Sequence, residues 1–322
     1  MKSTGRSVPL IINPTLLFHL FRDKPDALLI QGGMVPNNFI TLVYAKLTGT
    51  PIIWWSLGRV RGRRFRGLSS LYQSLNVWIE KHATCWVGYS SESVRYFHDQ
   101  GYDPSACFNL INVVDTQLID EKIKTVGSRV IKLQNELQLH NKKVVLFVGS
   151  ITDTKGVDRL VKAFNEVSKK HDDAVLLIVG DGPERESISN QVTELCIQKR
   201  VIFTGAVYDG IELYFQLGDV MVLPGTGGLA VSEAMVHELP VICGIGDGVE
   251  NDLVQDGVNG FVVDTDDCQV LAEKIDFVIS DKERLQRMGE ASRGIIDDAA
   301  NIQSYMREML SAISYSVRGD RL

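Results

Sequence analysis

The second half of the chain alternates short apolar runs with longer amphipathic segments. From residue 142 onward the apolar runs are rich in valine, isoleucine and leucine, and they read VVLFVG, AVLLIVG, VIFTG, VMVLP, PVICG and GFVV. Segments with helical periodicity, such as GVDRLVKAFNEVSKK and CQVLAEKIDFVI, separate them. Because strands that alternate with helices form parallel βαβ units covered on both faces, this pattern predicts a doubly wound α/β domain.

The first half shows the same alternation with fewer strands. We expect about four, in DALLIQGG, PIIWWSLG, TCWVGYS and CFNLINVVD. The polar stretch 132–143, KLQNELQLHNKK, is a predicted hinge between two Rossmann-like domains, 1–138 and 139–300, of which the first is incomplete at its N-terminus. A terminal helix over 301–322 is expected to pack back across the hinge. Two such domains facing each other place the carboxyl ends of both sheets at one cleft, where ligands bind.

Composition and charge narrow the class of protein. A length of 322 residues suits two domains, and a net charge of −6 argues against general nucleic-acid binding. The five cysteines are odd in number and lack CxxC spacing, which is typical of reduced thiols in a cytoplasmic protein. Asn13 and Pro14 split the apolar start of the chain, so we expect a helix on the first domain there rather than a signal peptide.

The loop after the strand VVLFVG carries a candidate phosphate-binding lysine. The strand ends at Gly149 and Ser150, and Lys155 and Gly156 then stand directly before a helix. An ammonium group and free backbone amides that converge on one point suit a phosphate. Taken alone, a solvated lysine at a helix start is the better explanation of this pattern.

Two further loops could line a nucleotide site. GDGPE at 180–184 has Gly182 at its centre, and VIFTG at 201–205 contains Phe203 and ends at Gly205, where a flat base could lie against the backbone. Plain strand-to-helix turns explain both sequences equally well.

The stretch LPGTGGLAVSEAM, residues 223–235, is the most specific. Gly225, Gly227 and Gly228 let the backbone approach a diphosphate, and the amides of Gly228 and Leu229 begin a helix whose dipole favours negative charge. Glu233 lies about one turn deeper, where an ionised carboxylate is costly unless it is hydrogen-bonded. Ribose hydroxyls are donors of suitable reach, so this loop and helix predict a site for a nucleoside diphosphate. A solvated glutamate on a surface helix is the alternative.

Taken together, these motifs resemble those of the retaining GT-B glycosyltransferases of the large family-four group. The resemblance rests on Lys155-Gly156, GDGPE, VIFTG, PGTGGLAVSEAMVHELPVI at 224–242 and DGVNGFVV at 256–263. It implies a nucleotide-sugar-binding domain over 139–300 and an acceptor-side domain over 1–138. The implied reaction moves a sugar from a nucleoside diphosphate sugar to a saccharide or lipid-linked acceptor with retention at the anomeric carbon.

The resemblance also implies roles for individual residues. Lys155 binds the diphosphate, Gly228 and Leu229 bind phosphate through their amides, and Glu233 holds the ribose. Lys155 and Glu233 are therefore the candidate catalytic residues, and no metal or other cofactor is required because the lysine and the amides meet the charge of the leaving group. The full set of candidate binding residues is Gly149, Ser150, Lys155, Gly182, Phe203, Gly205, Gly225, Gly227, Gly228, Leu229 and Glu233.

The chain departs from the family pattern at three positions. Gly225 stands where the family usually has a glutamate that touches the donor sugar, which we interpret as leaving the nearby backbone free to bind it. Ser150 replaces an arginine of the diphosphate clamp, and Leu57 lies where a histidine is frequent. These losses, with the late start of the first domain, favour an alternative: a non-catalytic nucleotide-sugar-binding subunit whose first domain a partner chain completes. A GT-B epimerase is a further rival, for which we find no suitably placed acid–base pair.

Two charged segments are candidate binding sites for an acceptor or a metal. RVRGRRFRG, residues 59–67, suits a phosphate-bearing, lipid-linked acceptor at the inner face of a membrane, and a solvated basic loop explains it equally well. Contact through Arg59–Arg66 would make the protein a peripheral one in surface polysaccharide or glycolipid synthesis. DTDD at 264–267 resembles a metal-binding pattern, but its place before a helix favours an N-cap.

Overall fold

The computed structural model describes residues 12–58, 68–246 and 248–319, and the chain forms two compact units. Unit 1 comprises Met1–Ile111 with Met306–Leu322, and unit 2 comprises Asn112–Tyr305. No helix among the described residues is both long enough and apolar enough to cross a membrane.

Unit 1 contains a four-stranded parallel sheet in the order β1-β2-β3-β4, so the expectation of about four strands is confirmed. The strands are β1 (Leu28–Gln31), β2 (Ile52–Ser56), β3 (Cys85–Gly88) and β4 (Cys107–Asn109). The helices before and between them are α1 (Leu16–Asp23), α2 (Val35–Thr48), α3 (Leu68–Glu80) and α4 (Ser91–Asp99). The start of α4 is fixed locally, because the Ser90 hydroxyl accepts a hydrogen bond from the Ser93 amide.

The interior of unit 1 holds aromatic rings around a buried carboxyl group. Trp54 is fully buried, and the rings of Trp86 and Tyr102 stack with centroids 4.1 Å apart. Glu80 accepts hydrogen bonds from Tyr102 at 3.0 Å and Tyr96 at 3.3 Å, and burial raises its pKa. These hydroxyl donors stabilise a polar group that would otherwise be costly in a core.

Unit 2 contains a six-stranded parallel sheet in the order β10-β9-β8-β5-β6-β7, which confirms the predicted doubly wound domain. Its strands are β5 (Lys143–Val148), β6 (Ala174–Val179), β7 (Val201–Gly205), β8 (Val220–Leu223), β9 (Val241–Gly244) and β10 (Gly260–Val263). Its helices are α5 (Thr116–Thr125), α6 (Gly127–Glu136), α7 (Val157–Lys170), α8 (Arg185–Glu194), α9 (Ile211–Phe215), α10 (Leu229–Val236), α11 (Val249–Leu253), α12 (Cys268–Ile279) and α13 (Lys282–Ala299). Every residue of β6, β8 and β9 is buried, as expected when helices cover both faces.

The polar stretch 132–143 differs from the hinge that we predicted. Residues up to Glu136 continue α6, and the turn that follows has positive φ at Gln138 (55°) and Asn141 (57°). The division between the units lies at 111/112 rather than at 138/139, because α5 and α6 pack against α9 and α10 of unit 2. Polar composition alone did not indicate this packing.

The last helix, α14 (Ile302–Arg318), matches the predicted terminal helix, and from Met306 its residues belong to unit 1. There the Ala312 carbonyl accepts a hydrogen bond from the Cys85 thiol at 3.5 Å, and the ring of Tyr315 meets Phe108 edge-on at 5.9 Å. Unit 1 is thus built from both ends of the chain.

Candidate functional site

The strand order of unit 2 brings the predicted loops together at the carboxyl edge of its sheet. The loops after β5, β6 and β7 are joined by backbone hydrogen bonds: Gly180 N–H donates to the Gly205 carbonyl at 2.9 Å, and Ile151 N–H donates to the Asp181 carbonyl at 2.9 Å. Gly182 is packed so closely that an added Cβ would lie 2.3 Å from the Ile151 carbonyl oxygen. The GDGPE and VIFTG motifs therefore adjoin the loop that carries Gly149 and Ser150.

The loop after β5 is joined in turn to the loop after β8. Thr226 N–H donates to the Thr154 carbonyl at 3.1 Å, and the Lys155 ammonium donates a hydrogen bond to the Thr226 carbonyl. Lys155 is half-buried. Two segments 71 residues apart in the sequence thus place the predicted lysine beside the glycine-rich loop.

Gly225 lies at the point of closest approach between these two loops. It is buried, and an added Cβ would lie 2.0 Å from the Thr154 carbonyl oxygen and 2.6 Å from the Cα of Lys155. The β5–α7 loop therefore occupies the space that a side chain at this position would need, and binding of a sugar by the nearby backbone stays a prediction. The structure needs glycine at this position for packing.

The N-terminus of α10 faces open space. Among the residues that the structure describes, and apart from the chain neighbours of Gly228, no heavy atom lies within 4 Å of the position that a Cβ on Gly228 would occupy, and Leu229 is 53% exposed. Gly228 caps the helix without any side-chain hydrogen bond. The first amides of α10, with the positive end of its dipole, can therefore meet an anion.

Glu233 lies on α10 one turn beyond those amides, on the side of α5 and α9. It is half-buried, and burial raises the pKa of its carboxyl group, while Lys122 on α5 lowers it and Glu212 on α9 raises it. Its carboxylate accepts no hydrogen bond from any residue that the structure describes. A half-buried acceptor of this kind can take hydrogen bonds from ligand hydroxyl groups.

Arg185 is a cation that the sequence analysis missed. Its guanidinium lies 5.4 Å from the ring centroid of Phe203 and 3.9 Å from the carboxylate of Asp181. Its NH1 atom is 3.7 Å from where a Cβ on Gly205 would be. The guanidinium of Arg185 therefore places a positive charge beside Phe203 and Gly205, the two residues predicted to bind the base. A motif search could have found Arg185 only by treating the first residue of α8 as part of the GDGPE turn.

Glu250 is a second residue that sequence reasoning missed. It is 1% exposed, and its carboxylate accepts hydrogen bonds from Gly227 N–H at 3.3 Å and Gly248 N–H at 3.2 Å. The carboxylate thus holds the middle of the glycine-rich loop from the start of α11. Its one sequence signal is an acidic residue in the first turn of a short helix after a buried strand.

The two charged segments have different outcomes. Asp267 is the N-cap of α12, since its carboxylate accepts hydrogen bonds from the amides of Gln269 and Val270, and the predicted N-cap is confirmed. Over 12–58, 68–246 and 248–319 we find no cluster of three or more metal-ligating side chains. Arg59–Arg66 lies outside the described residues.

Comparison with known proteins places these features in a family. Residues 130–294, just over half of the chain, match the family described as "Glycosyl transferases group 1". The alpha-D-kanosaminyltransferase of Streptomyces kanamyceticus is 29% identical over 163 residues, 49% of this chain and 42% of that protein. The GDP-mannose-dependent alpha-(1-6)-phosphatidylinositol monomannoside mannosyltransferase of Mycolicibacterium smegmatis is 28% identical over 173 residues, 50% of this chain and 45% of that protein. The chain spans about half the length of the curated relatives it matches.

Solved structures show the same fold over nearly the whole chain. The Anabaena protein HepE in complex with UDP has a TM-score of 0.78 at 20% identity, covering 92% of this chain and 81% of that one. The same protein with UDP-glucose has a TM-score of 0.74 at 21% identity, with 94% and 82% covered. The two parallel-sheet units therefore have the GT-B fold.

Proposed function

The chain belongs to the group 1 glycosyl transferases, and on that premise we propose that it transfers a sugar from a nucleoside diphosphate sugar, with retention at the anomeric carbon. The observation that carries the proposal is the hydrogen bond from the Lys155 ammonium to the loop that leads into α10, whose N-cap, Gly228, makes no side-chain hydrogen bond. An ammonium and oriented amides at one sheet edge supply what a diphosphate leaving group needs.

The chemistry follows from where charge develops. As the bond between the anomeric carbon and the phosphate oxygen breaks, its electron pair stays on the diphosphate. Lys155 and the amides of Gly228 and Leu229 stabilise that charge more strongly in the transition state than in the ground state. The Lys155 ammonium donates a hydrogen bond to the Thr226 carbonyl. A charged phosphate oxygen is a stronger acceptor than that neutral carbonyl, so a bound diphosphate competes with Thr226 for this hydrogen bond. This charge balance needs no metal.

The nucleoside is assigned to flanking groups of the same unit. Glu233 accepts hydrogen bonds from the ribose hydroxyls, which offset the cost of its half-buried charge. The base lies along the Gly182 turn near Phe203 and Gly205, where the Arg185 guanidinium adds a stacking surface.

The acceptor is assigned to unit 1. One relative acts on a phosphatidylinositol mannoside, and the arginine-rich segment 59–67 suits a phosphate-bearing lipid. We therefore propose a saccharide or lipid-linked acceptor, in surface polysaccharide or glycolipid synthesis at the inner face of a membrane.

Titration calorimetry of the full chain with UDP-glucose and with GDP-mannose tests the donor site. Lys155→Ala removes charge-assisted hydrogen bonds worth about 1.5–3 kcal/mol, so affinity should fall about 10- to 150-fold. Glu233→Ala should weaken binding of the nucleotide sugar while the melting temperature changes little. Unchanged affinity in both variants would refute the assigned roles.

Transfer is tested separately with radiolabelled donors and lipid-linked acceptors. We expect turnover that persists in EDTA, and a product whose anomeric configuration, read by NMR, matches that of the donor. Binding of the donor without transfer or hydrolysis would instead support the non-catalytic subunit whose first domain a partner completes.

A further inference from the structure

Unit 2 contains a cavity of about 430 Å³ at the amino edge of its sheet. It lies between the turn before β10, the last two turns of α12 and the first two turns of α13, which contribute Val258, Lys274 and Arg284 to its lining. We call it the α12–α13 cavity. The predicted nucleotide-binding loops follow strands, whereas this turn precedes one. Because parallel strands have their carboxyl ends at one edge of a sheet, the cavity lies at the edge opposite the candidate donor site.

The α12–α13 cavity has an apolar floor and an open mouth. Phe261 and Met288 in its lining are 8% and 3% exposed, whereas Val258 and Phe277 are 49% and 45% exposed. The rings of Phe261 and Phe277 meet edge-on, with their centroids 5.8 Å apart. A concave, mainly apolar surface of this volume has the size and character of a site for a small organic molecule.

Three cations line the cavity, and no carboxylate does so among the described residues. The Lys274 Nζ atom lies 4.2 Å from the centre of the Phe261 ring, and the central guanidinium carbon of Arg284 lies 3.6 Å from the centre of the Phe277 ring. These cation–π contacts hold both side chains against the apolar walls. The third cation is Arg287, which is exposed on α13. Since the whole chain has a net charge of −6, this local excess of positive charge does not follow from composition.

These cations are only partly neutralised. Arg284 lies 3.4 Å from Asp281 and Arg287 lies 3.7 Å from Glu283, but the two carboxylates are 40% and 90% exposed, and contact with water limits the strength of each pair. Lys274 is half-buried and forms no ion pair or hydrogen bond with any residue that the structure describes. Its ammonium group therefore gains a charge-assisted hydrogen bond when an anion enters the cavity.

We propose that the α12–α13 cavity binds a phosphate monoester whose body is an aromatic ring or a similarly flat apolar group. The body packs against Val258 and Phe277 at the mouth. The phosphate, with a charge of about −1.5 to −2 at pH 7, accepts hydrogen bonds from Lys274 and from the guanidinium groups of Arg284 and Arg287. A monocarboxylate would leave more of this positive charge without a counterion. The proposal goes beyond sugar transfer and does not rest on it.

Fluorine NMR of para-fluorophenyl phosphate, titrated with the full chain, tests the proposal. We expect a dissociation constant on the order of 1 mM, because a ligand of this size gains little free energy in total. Lys274→Gln should weaken binding about tenfold or more, since it removes a charge-assisted hydrogen bond. Lys132→Gln is the matched control, because it removes one positive charge from an exposed position on α6, and it should bind the probe as the wild type does.

Two substitutions at the mouth test charge separately from shape and leave Lys274 intact. Val258→Gln and Val258→Glu place side chains of equal length at a 49% exposed position, and only the second side chain is negative. Val258→Glu should bind the probe at least about fivefold more weakly than Val258→Gln, and this difference should shrink at high salt. Urea unfolding of each variant checks that it is folded.

Lys155 is a second cation that attracts phosphate, so the effect of Lys274→Gln is also measured in the Lys155→Ala background. A further loss of affinity there assigns the probe to the α12–α13 cavity. Three results would overturn the proposal. The first is no binding to the wild type, and the second is equal affinity with and without Lys274→Gln in the Lys155→Ala background. The third is equal affinity for the probe and for inorganic phosphate as its competitor, which would show attraction of an anion without a site for the ring.

Discussion

Adding one methyl group at Gly225 should disrupt the candidate site through packing alone. In Gly225→Ala the new Cβ lies 2.0 Å from the Thr154 carbonyl oxygen and 2.6 Å from the Cα of Lys155. Both are backbone atoms, so neither can rotate away. Ordinary contact begins at 3.4 Å, and the β5–α7 loop must therefore move by about 1.4 Å.

The expected cost combines two effects. Overpacking of a closed site costs about 1–3 kcal/mol, and loss of the hydrogen bond from Thr226 N–H to the Thr154 carbonyl adds about 1 kcal/mol. Urea unfolding should therefore show a decrease of about 2–4 kcal/mol in the free energy of unfolding. Because Lys155 moves with the loop, the affinity for the proposed nucleoside diphosphate, UDP or GDP, should fall about tenfold or more, as calorimetry would measure.

Gly228→Ala is the matched control, three residues further along. Its φ is −80° and its Cβ would meet no described residue other than its chain neighbours within 4 Å, so the free energy of unfolding should change by less than about 1 kcal/mol. Under the proposed function, binding of the nucleoside diphosphate should nevertheless weaken, because the methyl group would stand beside the amides of α10 that we propose as the phosphate site. If the urea concentration at the midpoint of unfolding is the same for Gly225→Ala as for the wild type, the packing argument is refuted. If Gly228→Ala binds UDP normally, the phosphate lies elsewhere.

Four further variants probe three polar groups of unit 2, those of Glu250, His237 and Asp120. Glu250→Ala should lower the free energy of unfolding by about 1–3 kcal/mol, because the amides of Gly227 and Gly248 lose their acceptor, whereas Glu250→Gln should retain more of it in the same urea titration. Burial lowers the pKa of His237 to about 4, so its protonation favours the unfolded chain. The stability that neutral His237 contributes is present above pH 6.5 and is lost as the pH falls toward 4; His237→Gln should remove about 3 kcal/mol of this pH dependence. Arg293 hydrogen-bonds Asp120 through two nitrogens, at 2.7 and 2.8 Å, and holds the pKa of that carboxyl group low. Asp120→Asn should therefore destabilise the chain at pH 7 and lose that effect at low pH, where the wild-type carboxyl group is also protonated.

Local patterns were sufficient to predict the elements of the fold. The apolar runs from VVLFVG to GFVV all form strands of the unit 2 sheet, because a strand buried on both faces can hold only apolar side chains. The start of α12 was equally readable, since Asp267 hydrogen-bonds amides two and three residues ahead. Both signals act within a few residues of the chain.

Contacts between residues that are distant in the sequence could not be predicted from local patterns. The order β8-β5-β6 sets Gly225 against Thr154 and Lys155, so packing between the two loops requires a glycine there, which the motif did not indicate. The role of Glu250 was likewise identified only from the hydrogen bond that its carboxylate accepts from the Gly227 amide, because Gly227 lies in another loop.

Propensity and periodicity report each residue's own conformation, and they therefore specify which segments become strands and helices. Close contacts between loops depend on which strands are neighbours in the sheet, and short local patterns do not specify the strand order. For this reason Lys155 and Glu233 could be proposed from motifs, whereas the loop contacts at Gly225, the charge at Arg185 and the unit boundary at 111/112 emerged from packing.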